Sequence, residues 1–95
     1  MDRNPDVLLT QSTAREKALR QLGGNVRRER TLRNISQGQL AELAGIHSRT
    51  VAKIEAGELN IKTDTLTRIS RAIGCSASTL TNGTYDTLHR FGTGK

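Results

Sequence analysis

Between Gln37 and Ala56 two short apolar stripes are separated by one glycine, and this spacing restricts the fold more than any other feature of the chain. Leu40, Ala41, Leu43 and Ala44 recur at helical spacing behind Ser36, a residue type that caps helix N-termini. Gly45 follows at once. A further stripe, with Val51 and Ile54 inward, fits a helix from Ser48 to Ala56 that Gly57 stops. Two short helices that meet at a wide angle need a tiny residue at the crossing and a residue free to take positive φ between them. Ala41 and Gly45 occupy those positions, and Val51 and Ile54 lie where the second helix must pack back on the first, opposite Leu40. An arbitrary helical hairpin seldom meets all four requirements at fixed offsets.

The rest of the chain also reads as helices. Residues 1–12 are polar, contain Pro5 and show no sustained period. Thr13 and Glu16 make a capping-box pattern, and Ala14, Ala18, Leu19, Leu22 and Val26 then recur at helical spacing. Gly23 and Gly24 interrupt this, because two adjacent glycines cost about 1.5–2 kcal/mol in a helix interior relative to alanine. The expected first helix therefore begins near Leu22 and ends near Arg33, with residues 13–22 as a separate, looser turn. Asn34 tolerates the left-handed conformation that stops helices. After a loop at 58–62, Thr63 and Asp64 open a fourth helix carrying Leu66, Ile69, Ala72 and Ile73, closed by Gly74. A short fifth helix covers about 76–82 around Leu80 and ends at Gly83. No strand-like alternation or internal repeat occurs. The expectation is an all-α domain of five helices over residues 18–82, between a flexible arm at 1–17 and a tail at 83–95.

Ninety-five residues make one domain. Aromatics are 2% of the chain, and both, Tyr85 and Phe91, fall in the tail, so the core must be aliphatic. Fifteen basic against nine acidic residues give a net charge of +6, which favours a polyanionic partner. Arg15, Lys17, Arg20, Arg27, Arg28, Arg30 and Arg33 crowd one early stretch against Glu16 and Glu29; a solvated helix face explains such a run equally well. Cys75 has no partner for an internal disulfide and reads as a small buried hydrophobe at a helix junction. With only His47 and His89 beside it, no four-ligand zinc site can form, and neither metal nor cofactor is expected. Enzyme chemistry is disfavoured: no nucleophile–base pair has a third member, and neither Gly23-Gly24 nor Gly92-x-Gly94 has the lysine of a phosphate loop. No small-molecule ligand is evident. No apolar run approaches the roughly 20 residues of a membrane span. The N-terminus, with Asp2 and Asp6, has no secretory signal, so a cytoplasmic location is expected.

The motifs Ile35-Ser36-Gln37, Leu40-Ala41-x-x-Ala44-Gly45, Val51-x-x-Ile54-Glu55-x-Gly57 and Leu66-x-x-Ile69-x-x-Ala72-Ile73, with Leu80, resemble the phage-repressor and Cro-like (Xre-type) helix-turn-helix DNA-binding domains. The resemblance spans about Leu22 to Asn82. It implies a five-helix, lambda-repressor-like fold with the helix-turn-helix at helices 2 and 3, operator binding as a homodimer, and no cofactor. Glu29 stands where the family has leucine, Arg33 where a small or apolar residue is common, Asn34 for glycine, Ile61 for a loop proline, and Ala56 for a polar residue. These departures bear on the packing of helix 1 and the loop at 58–62.

With Val51 and Ile54 inward, Ser48, Arg49, Thr50 and Lys53 project outward. By resemblance, Ser48, Arg49 and Lys53 match the family's base-reading positions. Arg49 is the candidate for a bidentate contact to guanine; Lys53 reads guanine or touches phosphate. The plainer reading of both is a solvated helix surface. Ser36 and Gln37 stand at a helix N-terminus, where backbone N–H groups favour phosphate, with simple capping as the alternative. His47 caps helix 3 or contacts DNA. Asn60, Lys62 and Thr63 look like further phosphate contacts, although Lys62 is equally a solvated charge. Arg30 and Glu55 match a family ion pair between helix 1 and the end of helix 3, as against two independent surface charges. Tyr85, Leu88 and Phe91 either fold over helix 5, join a dimer contact, or have no fixed place.

Double-stranded DNA is thus the expected partner, and repression by a homodimer on a near-palindromic operator the expected activity. Gly45-Ile46-His47 with Asn60-Ile61 also looks like the controller proteins of restriction-modification systems, and like antitoxins with this domain. A protein-interaction module that kept the fold and lost DNA is a further rival, opposed by the basic outward residues of helix 3. RNA is disfavoured, since no aromatic stacking surface exists outside the tail.

Overall fold

A threonine and a glutamate three residues apart start the first helix. In the computed structural model, which describes residues 13–84, Thr13 Oγ1 accepts a hydrogen bond from the Glu16 amide at 3.0 Å. The Glu16 carboxylate accepts one from the Thr13 amide, also at 3.0 Å, completing the capping box. From this cap α1 runs unbroken over Ala14–Leu32. The looser turn expected over 13–22 is therefore not formed, and Gly23 and Gly24 lie inside the helix. Tertiary packing overrides their low propensity: Leu22 and Val26 on either side are fully buried, and Gly23 itself is buried. The helix ends at Arg33 and Asn34, the latter at φ 57°, and the Ile35 amide turns back to the Arg30 carbonyl at 3.1 Å.

Ser36 and Gln39 form a second capping box that starts α2, Gln37–Ala44. Gly45 then takes φ 73°, a region costly for a residue with a Cβ. This turn returns the Ile46 amide to the Ala41 carbonyl at 3.0 Å and launches α3, Ser48–Glu55. The helix stops one residue before Ala56, which forms its C-cap. Next come α4, Thr63–Ile73, closed by Gly74 at φ 93°, and α5, Ala77–Leu80. The last is shorter than the 76–82 expected, with Ser76 as its cap. Among the described residues there are five helices and no strand.

The core draws aliphatic residues from all five helices, centred on Leu22, Val26, Leu40, Val51, Ile54, Ile69 and Leu80. Leu43, read as part of the α2 stripe, instead lies outward and is 64% exposed. Leu40, Ala41 and Ala44 already fill the arc of α2 that faces the core, and position 43 falls beyond it. Cys75 is half-buried against the core, and its burial pushes the thiol above its ordinary value, so the neutral form prevails.

One buried polar residue organises the far side of α1. The Asn25 amide donates to the carbonyls of Leu80 at 2.9 Å and Asn82 at 3.0 Å, while its oxygen accepts from Gln21 at 3.0 Å and Arg28 at 3.2 Å. These bonds tie α5 to α1 and leave no buried polar atom of Asn25 unpaired. Two of the departures from the family pattern also resolve as one interaction. Arg33 donates to the Glu29 carboxylate at 2.8 Å, one turn apart, and this bond holds the Glu29 carboxyl below its ordinary value.

The adjacent glycines give a stability test. Gly24 is exposed, and a Cβ added there meets no atom within 4 Å. Gly24→Ala should therefore stabilise the protein by about 0.5–1 kcal/mol, seen as a higher melting temperature. An unchanged or lower melting point would show that α1 is not helical at this position in solution.

Candidate nucleic-acid interface

The outward face of α3 follows from its inward one. Val51 and Ile54 are 0% and 1% exposed, which turns Ser48, Arg49, Ala52 and Lys53 to solvent. Thr50 is only half-buried between the two faces. His47 stands at the N-cap of α3 with extended backbone, and its carbonyl accepts from the Thr50 and Val51 amides. Its side chain makes no capping bond, which corrects the expectation that the imidazole caps the helix. Hydroxyl, carboxylate and amide oxygens are the efficient acceptors there; a bulky ring on the same short stem is not among them. The imidazole is left exposed at the start of α3.

The other end of α3 is held by charge. Arg30 Nε donates to one Glu55 carboxylate oxygen at 2.6 Å and its Nη2 to the other at 2.9 Å. Its Nη1 donates to the Ile35 carbonyl at 2.8 Å, and the Gln37 amide donates to Glu55 at 3.0 Å. The two charged side chains are 11% and 4% exposed. Bidentate geometry and the two further bonds compensate the loss of water around both charges. The bond to Glu55 raises the Arg30 pKa further above its ordinary value, so the guanidinium is charged at every relevant pH. One cluster thus joins α1, the turn before α2, the first residue of α2 and the last of α3. Gln37 spends one of its two amide hydrogens inside it.

The remaining candidates lie at the N-terminus of α2 and between α3 and the start of α4. Ser36 is exposed, and its oxygen accepts from the Gln39 amide at 3.0 Å. Asn60 is half-buried and its side-chain oxygen accepts from the Ile61 amide at 2.9 Å, which shapes the loop. Lys62 is exposed at the N-cap of α4, and Thr63 is exposed as its first residue. Ile61, in place of the loop proline, packs partly buried against the core. Tyr85, Leu88 and Phe91, and residues 1–12, lie outside the described residues. Sequence reasoning missed Asn25 and Gly23. Asn25 could have been found, since it falls three residues after Leu22 and in phase with the buried side of α1.

Among the described residues, no group of three or more His, Cys, Asp or Glu side chains could hold a metal ion. None of their helices is long and apolar enough to cross a membrane.

Comparison with known proteins agrees with this geometry. The helix-turn-helix family pattern matches residues 26–80. The control protein C.SmaI of Serratia marcescens is 37% identical over 59 residues, spanning 62% of this chain and 70% of that protein. Among solved structures, the restriction-modification controller protein C.AhdI of Aeromonas hydrophila superposes with a TM-score of 0.64 at 27% identity, covering 65% of this chain and 94% of that one. The hypothetical transcription factor NHTF of Neisseria gives 0.66 at 27% identity, over 80% of this chain and 88% of its own. The clp gene regulator ClgR of C. glutamicum, at 19% identity and a TM-score of 0.65 over 82% of this chain and 96% of its own, shares the fold. With its two helices crossing at Ala41 and Gly45 and a family match over more than half its length, the chain belongs to the Xre/Cro-like helix-turn-helix family and is a DNA-binding transcription regulator.

Proposed function

We propose that the chain represses transcription as a homodimer, setting two copies of α3 in successive major grooves about 34 Å apart on a near-palindromic operator. The observation that carries this is α3 itself, clamped at both ends with Ser48, Arg49 and Lys53 outward. Arg49 offers two parallel donors to a guanine edge, and Ser48 and Lys53 read adjacent positions. Ser36 and Gln37 at the N-terminus of α2, His47 before α3, and Asn60, Lys62 and Thr63 beyond it contact phosphates on the two sides of the groove. Gln37 has one amide hydrogen left for this after bonding Glu55. The protein acts by binding rather than catalysis, in the cytoplasm. Folding of 18–82 as the DNA-binding unit leaves 83–95 for docking or for the dimer contact.

A more specific setting is favoured by the relatives. Both C.SmaI and C.AhdI are control proteins, and the latter is matched over nearly its whole length. Within the regulator reading, a controller of a restriction-modification system therefore fits this chain better than a phage repressor or an antitoxin.

Site selection on random duplexes, followed by a salt titration on the recovered site, tests the proposal. The expected result is a two-fold symmetric motif with half-sites about one helical turn apart, bound with an affinity that falls steeply as salt rises. Recovery of no motif, or of binding insensitive to salt, would overturn it.

A further inference from the structure

The two ends of α3 are seated by different devices. Its start is tied to α2 through the Gly45 turn and the bond from the Ile46 amide to Ala41. Its end rests on α1 at Gly23. A Cβ built on Gly23 would press on the Ile54 carbonyl oxygen and lie 2.7 Å from the Glu55 oxygen and 2.9 Å from the Glu55 carbonyl carbon. All three are backbone atoms, and the Ile54 oxygen already accepts the Gly57 amide at 3.0 Å, so they cannot swing aside as a side chain would. Gly57 closes the same junction from the other side, where a Cβ would lie 3.1 Å from the Arg20 Cα. Gly24, its neighbour in sequence, would meet nothing. Two adjacent glycines on one helix are therefore opposite in what they permit.

We infer that Gly23 is a positioning residue for DNA reading: its missing side chain lets the end of α3 sit directly on α1 and so sets the tilt of the face that carries Arg49 and Lys53. The inference rests on α3 being the base-reading helix. Eight residues of α3 span about 12 Å, so with the start anchored at α2, a push of roughly 0.5–1 Å at the end becomes a tilt of a few degrees. Lys53, near the displaced end, moves more than Ser48 and Arg49. Base-edge bonds are sensitive to such a change, because a site must hold its groups to within about 0.5 Å of the productive geometry. Phosphate contacts by point charges on flexible stems are not. The same push draws Glu55 away from Arg30, which weakens the clamp that would otherwise resist it.

The test compares Gly23→Ala with its parent, both in the Gly24→Ala background, whose added helix propensity guards against loss of α1. The double variant should keep its helical circular dichroism and bind a random duplex within about twofold of the parent with the same salt slope. On the duplex recovered by site selection it should lose about tenfold in affinity, the effect of impairing one base contact. Without DNA, the amide resonances of residues 53–58 should shift while those of 48–50 hold. Discrimination within twofold of the parent, or unmoved resonances at 53–58, overturns the inference. So does loss of the helical signal, which would assign Gly23 to folding alone. If the wild-type chain selects no motif, the regulator reading fails separately, and the resonances still decide whether Gly23 sets the tilt.

Discussion

Replacing Glu55 by alanine is expected to destabilise the protein by about 3–5 kcal/mol, the usual result of leaving one member of a buried ion pair without its partner. In a domain of this size that corresponds to a fall in melting temperature of more than about 10 °C. The reason lies in how many bonds end on this carboxylate. Two come from the Arg30 guanidinium and one from the Gln37 amide, and Glu55 is 4% exposed. Without it, the Arg30 charge stays desolvated with only the Ile35 carbonyl as partner. Glu58 supplies the control, since it is exposed and, among the described residues, its side chain bonds nothing while its backbone amide bonds the Lys53 carbonyl. Glu58→Ala should stay within about 0.5 kcal/mol of the wild type. Equal, small shifts in the two thermal melts would refute the cluster as a structural element.

The second large effect concerns recognition. Arg49→Ala is expected to cost about 1–3 kcal/mol of discrimination at one base position of each half-site and little at the others. Lys62→Ala should instead weaken all duplexes about evenly and reduce the salt slope by about one. The contrast follows from placement: Arg49 stands on the exposed face of α3, whereas Lys62 stands exposed at the N-cap of α4. Competition with every single-base variant of the selected site measures both. Full discrimination retained by Arg49→Ala would remove α3 from the base-reading role.

These two variants also separate holding from reading. Glu55 is the last residue of α3 and its side chain is nearly inaccessible, so its loss acts through where the helix sits. Arg49 is exposed and its side chain bonds none of the described residues, so its loss leaves the helix in place. Melting temperature should respond to the first and not to the second.

Much of the architecture was legible in the chain because it is written in local terms. Ser36 ahead of an apolar stripe, Gly45 at the turn, and Val51 and Ile54 three apart specify α2, α3 and their crossing through capping, φ and helical period alone. The resemblance extended that reading to Arg30 and Glu55, which are 25 residues apart and have no period in common. The aliphatic character of the core and its spread over five helices followed from the same patterns.

Other features depended on what lies across the fold. Two adjacent glycines argue against a helix by propensity, yet α1 passes through both, because one of them meets the end of α3 and the residues around it are buried. Leu43 belongs to an apolar stripe in the sequence and faces solvent once Leu40, Ala41 and Ala44 fill the contact. Asn25 is an ordinary polar residue until the carbonyls of Leu80 and Asn82 arrive above it. Capping, turn and period are properties of a few consecutive residues, so they can be read from the chain. Whether a missing Cβ is idle space or a seat for another helix depends on backbone some 30 positions away, and only the packed structure brings that backbone near.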